Sequence, residues 1–241
     1  MIAFRYRGQE ISRTLDILEN QRLYCASAEA MNDWEEGAFG LNYVREDEDP
    51  KAIKERVRKY QRDLRVVCLC LSPKSRLLWA YYSSGLRGVA IEVEIPDAAR
   101  FTLNPNGLKP DMSRIKVRQL DYADHRSFGT IPQDFPEAAA YEVLGRKPTI
   151  WTHEEEVRII AHKDELEDSK FYRLATPARR VIVGARMKRD DLEAVRDACI
   201  AAKIPMAVAL PWPGMLQIRH VDPATLKVLD EVDEFKDKAS L

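Results

Sequence analysis

The most apolar run of the chain is Arg65-Val66-Val67-Cys68-Leu69-Cys70-Leu71-Ser72, closed by Pro73. A short continuous apolar stretch bounded by a turn signal reads as a central strand covered on both faces, so the fold must supply layers on either side of it. Other segments alternate instead. Gly88 to Ile95 predicts a strand with Val89, Ile91, Val93 and Ile95 inward, and Ile2 to Arg7, Arg22 to Ser27 and Ile115 to Tyr122 predict further strands. Arg180 to Gly184, Met206 to Leu210 and Leu216 to Val221 complete the set.

Helical spacing marks the segments between them. A short helix follows Ser12, its expected N-cap, with Leu15 and Leu18 inside. Lys51 to Leu64 carries a stripe of Ile53, Val57, Tyr60 and Leu64. Leu77 to Ser84 stops at Gly85, and Glu137 to Arg146 precedes a charged strand. Asp190 or Asp191 is expected to cap a helix running to Lys203. Strands come in runs as well as alternating with helices, which predicts an α+β fold over 1–241: one domain, a mixed or antiparallel central sheet and flanking helices. The charged tail from about Asp230 is expected to fray.

Composition narrows the function classes. Formal net charge is −1, so no global basic field points to nucleic acid, and basic runs such as Lys54 to Lys59 are interleaved with acids as on a solvated helix face. No apolar run approaches the ~18 residues of a membrane span. Met1 to Arg7 lacks the order of a signal peptide, and Cys25, Cys68, Cys70 and Cys199 show no CxxC spacing. A cytoplasmic location follows as the expectation, with no membrane partner. There is no GxGxxG, no Walker lysine and no GxSxG elbow. Asp121, Asp124 and His125 read as a solvated loop, so no metal is expected.

Chemistry concentrates in Lys147-Pro148-Thr149-Ile150-Trp151-Thr152-His153-Glu154-Glu155-Glu156-Val157-Arg158-Ile159-Ile160. As a strand with period two it lines Glu154, Glu156 and Arg158 on one face, with Val157 and Ile159 in the core and Glu155 turned away. Two carboxylates and a guanidinium on a rigid element can position a polar ligand or stabilise positive charge; the bland reading is a solvated face with cross-strand ion pairs. Four earlier blocks precede it: Arg5-Tyr6-Arg7; Ser27 with Asn32-Asp33-Trp34-Glu35; Cys70-Leu71-Ser72; and Leu78-Trp79-Ala80-Tyr81-Tyr82 with Gly88-Val89. Asn32 and Asp33 are turn formers, and Trp79 with Tyr82 at i, i+3 fits a core stripe more readily than a ligand platform.

The ordered set resembles a bacterial and phage domain family of unknown function. Its members read tyrosine-arginine, then phenylalanine-asparagine-aspartate-proline, C-x-S, W-x-x-Y with glycine-valine, and W-x-x-E-x-E-x-R. The resemblance runs from Phe4 to about Ile160; Met31 and Trp34 depart from it, standing where the family has phenylalanine and proline. A looser resemblance is to the R-S-E pattern of ADP-ribosyltransferases. It implies NAD as co-substrate, with Arg5 on the phosphates or ribose and Ser72 (or Ser27) supporting the nicotinamide ribose. Glu156 would hold a ribose hydroxyl beside an oxocarbenium-like transition state, and Glu154 would orient an acceptor. Trp79, Tyr81 or Trp151 would stack on nicotinamide. It thus suggests a toxin or phage-defence enzyme with catalytic Glu156, Glu154 and Arg158. The implied cleft contains Arg5, Tyr6, Ser27, Asn32, Asp33, Ser72, Trp79, Tyr82 and Trp151. The alternative is a non-catalytic module binding a nucleotide, nucleic acid or protein through the same cleft.

Overall fold

The computed structural model describes residues 1–31, 37–41, 48–96, 114–123, 127–128 and 136–232. Nine strands form its principal sheet. In chain order the elements are β1 (Ile2–Arg7), α1 (Ile11–Asn20), α2 (Pro50–Asp63), β2 (Leu64–Cys70), α3 (Arg76–Tyr82), β3 (Val89–Glu94) and β4 (Ile115–Gln119). Then come α4 (Pro136–Leu144), β5 (Glu156–His162), β6 (Arg180–Gly184), α5 (Arg189–Ala202), β7 (Met206–Trp212), β8 (Met215–Val221) and β9 (Val228–Val232). Across the sheet the order is β9-β8-β7-β6-β3-β1-β2-β5-β4. Every neighbouring pair is antiparallel except β6 and β7, whose parallel register is bridged by α5 as a helical crossover requires. The chain is therefore a single α+β domain with a mixed sheet.

Helices cover both faces. Ile17 and Leu18 of α1 and Val195 and Cys199 of α5 pack with Val67, Leu69, Ile91 and Val181 on one side. On the other, Leu78 and Trp79 of α3 pack with Phe4 and Tyr6. Beside them, α2 and α4 bury Ile53, Val57 and Ala140 against Leu64, Val66 and Ile160. This double cover buries Ala90 and Glu92 of β3 along with Val89 and Ile91, where alternation predicts one inward face. Glu92 pairs with Arg180 on β6, 2.7 Å away.

Several local expectations change. The N-cap of α1 is Glu10 rather than Ser12 and makes no side-chain cap bond; the helix buries Thr14, Ile17 and Leu18, while Leu15 is half-exposed. Asp190 and Asp191 lie within the first turn of α5, where they favour the helix dipole, and Lys188 stands at the cap. On α2 the buried stripe is Ile53, Val57 and Gln61, because Gln61 Nε2 donates to the Gly37 carbonyl (3.0 Å) and Tyr60 turns outward. The strand expected over 22–27 is only Arg22–Tyr24, followed by one bridge from Ala26 to Val66. The tail expected to fray from Asp230 is still paired with β8 in Val228–Val232; residues 233–241 lie outside the described residues.

One irregularity positions the site. β1 pairs with β3 over its whole length, Ile2 opposite Glu94 through Arg7 opposite Val89, yet shares a single bridge with β2, Phe4 opposite Cys70. Beyond it the strands part, and Val66 pairs with Ala26 instead through reciprocal bonds of 2.7 and 2.9 Å. The gap is a seam inside an otherwise continuous sheet.

The β1–β3 pairing depends on Gly88, because a Cβ there would stand 1.9 Å from the Arg7 carbonyl oxygen and 3.0 Å from the Gly8 Cα. Gly88→Ala should therefore cost at least the ~1–3 kcal/mol typical of forced overpacking, measured by chemical denaturation.

Candidate functional site

Charge gathers where β5 begins. Residues Thr149–Glu154 form a 3₁₀ turn, Glu155 takes a left-handed φ of 43°, and β5 starts only at Glu156. The expected strand face is thus broken after Glu154. The two carboxylates converge all the same, because Lys147 lies between them: its Nζ donates to Glu154 Oε2 (2.5 Å) and Glu156 Oε2 (3.1 Å). Arg158 grips Glu156 from below, Nε to Oε1 at 2.6 Å and Nη2 to Oε2 at 3.2 Å, while its Nη1 donates to the Leu144 carbonyl (2.9 Å). Tyr82 on α3 donates its hydroxyl to Glu154 Oε1 (2.7 Å), and the Glu156 amide donates to the Tyr122 hydroxyl (2.8 Å).

These groups are buried: Lys147, Glu154 and Glu156 are at most 5% exposed and Arg158 is fully enclosed. Ionised groups survive there only when paired, and this quartet balances two anions with two cations. Burial works to raise the Glu156 carboxyl, but Arg158 and Lys147 override it and hold the group well below the ordinary carboxylate range. Burial works to lower Lys147, and the two glutamates reverse that as well, leaving it above its usual value. Burial, with Glu154 at its hydroxyl, pushes Tyr82 far up, and burial pushes Tyr122 up to about 12. The solvated-face reading is thereby replaced by a buried ion cluster.

The cluster forms one wall of a cavity of about 480 Å³ that occupies the seam. Opposite stand Arg5, Arg7 and Arg13, and Tyr24, Tyr82 and Trp151 contribute aromatic surface. Arg5 Nη1 donates to the Cys68 carbonyl, satisfying a β2 acceptor that the parted ladder leaves open. Arg5 Nε and Arg7 Nε are buried without a hydrogen-bond partner among the described residues. Burial first, then the charges of Arg5 and Arg13, weaken the hold of Arg7 on its proton, placing it below the usual guanidinium range. Four cations and two carboxylates line the cavity, and the carboxylates already have their counter-charges in Lys147 and Arg158. The wall formed by β1 is thus poised for an anion, and planar guanidinium forks match phosphate oxygens.

Of the residues singled out in the sequence, Arg5, Tyr6, Tyr82, Trp151, Glu154 and Glu156 line this cavity. Arg158 sits behind Glu156 as its positioning partner. Trp79 is 1% exposed, donates Nε1 to the Pro73 carbonyl (2.8 Å) and packs edge-on against Tyr6, so it is core beneath the site. Ser72 lines an adjacent hollow with His153 and Glu154; its Oγ accepts from the Lys74 amide (3.2 Å) and its carbonyl accepts from Tyr6 Oη (3.1 Å). Ser27 is half-buried at the start of a short 3₁₀ turn and lines neither space. Asn32, Asp33, Trp34 and Glu35, and Asp124 with His125, lie outside the described residues. Lys147, Arg7, Arg13 and Tyr122 have no role in the sequence reading, though Lys147 and Arg7 lie inside its motif blocks. Among the described residues, no group of three or more metal-ligating side chains converges and no helix is long and apolar enough to cross a membrane. Comparison with protein-family models, with curated proteins and with solved structures returns no match.

Removing one member of the cluster strands another. Arg158→Ala should destabilise the fold by about 3–5 kcal/mol, as expected when a buried ion pair loses one partner, while Arg158→Ala/Glu156→Gln should recover part of the loss in chemical denaturation. Glu156 has a depressed carboxyl, so its stabilisation is present above its ordinary value of 4.5 and lost as pH falls through the lower folded value. The stability difference between wild type and Glu156→Gln should accordingly shrink as pH is lowered from about 5 toward 2 in urea titrations.

Proposed function

We propose that the seam cavity binds a phosphate-bearing nucleotide, NAD foremost, and that the protein is an ADP-ribosyltransferase-like enzyme. The observation that carries this reading is the pair of buried guanidiniums, Arg5 and Arg7, whose Nε groups have no hydrogen-bond partner among the described residues and share one cavity with Glu154 and Glu156. Arg5 and Arg7 would take the pyrophosphate. Glu156, fixed by Arg158 and Lys147, would present a preorganised negative charge to the nicotinamide ribose. As the bond from C1′ to the nicotinamide nitrogen breaks, its electron pair leaves with nicotinamide, and the ribosyl cation that develops is stabilised by the carboxylates until an acceptor nucleophile bonds C1′ and gives up its proton to solvent. A cavity of about 480 Å³ falls in the size range of small-molecule sites, ~300–1,000 Å³. The serine of the resemblance has no counterpart among the described lining residues; the hydroxyl-bearing side chains there are Tyr6, whose hydroxyl donates to the Ser72 carbonyl, Tyr82, whose hydroxyl donates to Glu154, and Tyr24. A cytoplasmic site of action and a role as a toxin or in phage defence belong to this proposal through the sequence resemblance and cysteine usage.

A second reading has its own observation. Both carboxylates are engaged, Glu156 with Arg158 and Lys147, and Glu154 with Lys147 and Tyr82, which suits a non-catalytic nucleotide-binding module.

Calorimetry and nicotinamide release separate the two. Under the transferase reading, wild type binds NAD and releases nicotinamide. Glu156→Gln should reduce release by at least ~100-fold with NAD affinity largely kept. Arg7→Ala should weaken binding by roughly 10–100-fold, the loss of a hydrogen bond to a charged group. Binding that depends on Arg7 with no release would establish the module, and absence of binding would refute both readings.

A further inference from the structure

The cavity opens beside a second group of arginines that neither reading uses. Where β1 ends, Gly8 lines the cavity, and a Cβ on it would stand 2.8 Å from Ser84 Oγ. Ser84 belongs to a loop in which three consecutive residues, Ser84, Gly85 and Leu86, have φ of 51°, 66° and 66°. Two non-glycine residues in left-handed geometry cost energy, and such conformations persist where the surroundings over-determine them. Here the loop is clamped by Arg87 and Gly88 amides on the Ser83 carbonyl, both 3.0 Å. A Gly184 amide on the Gly88 carbonyl and an Arg186 amide on the Leu86 carbonyl, both 2.9 Å, tie it to the end of β6.

The clamping brings two guanidiniums together. A Cβ on Gly85 would lie 3.6 Å from Arg87 Nη1 and 4.0 Å from Arg186 Nη1. Arg87 Nη1 donates to the Ser84 carbonyl (3.1 Å), Arg186 is exposed, and neither has a carboxylate partner among the described residues. Arg13, on the cavity wall, pairs among the described residues with Glu10, in a pair more than half exposed on both sides, which a stronger anion can displace. A basic track therefore runs from the seam, through Arg7 and Gly8, to a rim of Arg87 and Arg186, in a chain whose net charge is −1.

We infer that this rim binds the phosphodiester backbone of a single-stranded nucleic acid. Guanidinium forks pair bidentately with phosphates as they do with carboxylates, and what favours the nucleic acid over an acidic peptide is the aromatic surface beside them: the adjoining cavity offers Tyr24, Tyr82 and Trp151, with Tyr81 63% exposed on α3, as surfaces on which unpaired bases can stack. The inference goes beyond the nucleotide reading and does not depend on it, since Arg87 and Arg186 do not line the cavity.

Fluorescence polarisation with fluorescein-labelled 12-mer single-stranded RNA and DNA, without NAD, tests it. Wild type should bind at least one of them, with affinity falling log-linearly in salt. Arg87→Ala/Arg186→Ala should bind at least tenfold more weakly at ~100 mM salt and reduce the log–log slope by about 1.4, at ~0.7 per lost phosphate contact on single strands. Unchanged thermal melting and NAD calorimetry in the double variant would keep rim and cavity separate. Equal affinity and slope in wild type and double variant would overturn the inference. So would displacement of the oligonucleotide by poly-glutamate at equal charge concentration, which would mark the rim as a site for acidic proteins.

Discussion

Strands β1 and β2 meet at one bridge, Phe4 to Cys70, and the consequences of their parting organise the site. A parted ladder leaves β2 carbonyls and β1 edge groups without their sheet partners, and each such group in the interior must find another. The Ala26 segment satisfies Val66, and the Arg5 guanidinium reaches across to the Cys68 carbonyl. What remains between them is space, lined by β1 arginines on one side and by the start of β5 on the other. The site is thus a defect in the sheet made permanent by the surrounding helices, which pin β1 from α3 and β2 from α2 and α4.

The two walls of the seam follow different electrostatic rules. At β5 every buried charge is answered: Glu156 by Arg158 and Lys147, Glu154 by Lys147 and Tyr82. The same pattern continues one strand over. Arg118 stands directly opposite Arg158, and their like charges are tolerated because Arg118 pairs with Glu142 at 2.6 Å. At β1 the guanidiniums of Arg5 and Arg7 have buried Nε groups that find no partner among the described residues. A fold that balances charge so closely at β5 and leaves donors open a cavity's width away has the form of a binding wall facing a rigid support.

Much of the sheet was legible. Ile2–Arg7 and Arg180–Gly184 form strands over the expected residues, and the apolar run around Val67 is the covered inner strand it promised. Local chemistry failed where tertiary contacts outrank it. Ser12 is a good cap, but α1 starts earlier, at Ile11 with Glu10 as its N-cap, and Tyr60 has the right spacing while Gln61 has the hydrogen-bond partner. The cluster was half legible: strand periodicity grouped Glu154 with Glu156 and separated Glu155, which is exposed. Their convergence, however, comes from a 3₁₀ turn and Lys147, an arrangement that no period of two contains. Trp79, placed in the cleft by the resemblance but favoured as core by its helical spacing, is core, with its indole nitrogen satisfied by Pro73. The β1 arginines could be seen, but a partner's absence is a property of the folded seam alone.

The claim on which this account turns is that the open arginine donors of β1 receive the phosphates of a nucleotide. It is tested most directly by titrating ¹⁵N-arginine-labelled protein with ADP while observing the Nε–Hε resonances, with Arg5→Lys and Arg7→Lys identifying the two signals. The account predicts that both move as ADP saturates, while the Arg158 resonance, enclosed behind Glu156, stays nearly fixed. Arg5 and Arg7 signals unmoved at saturating ADP would contradict it.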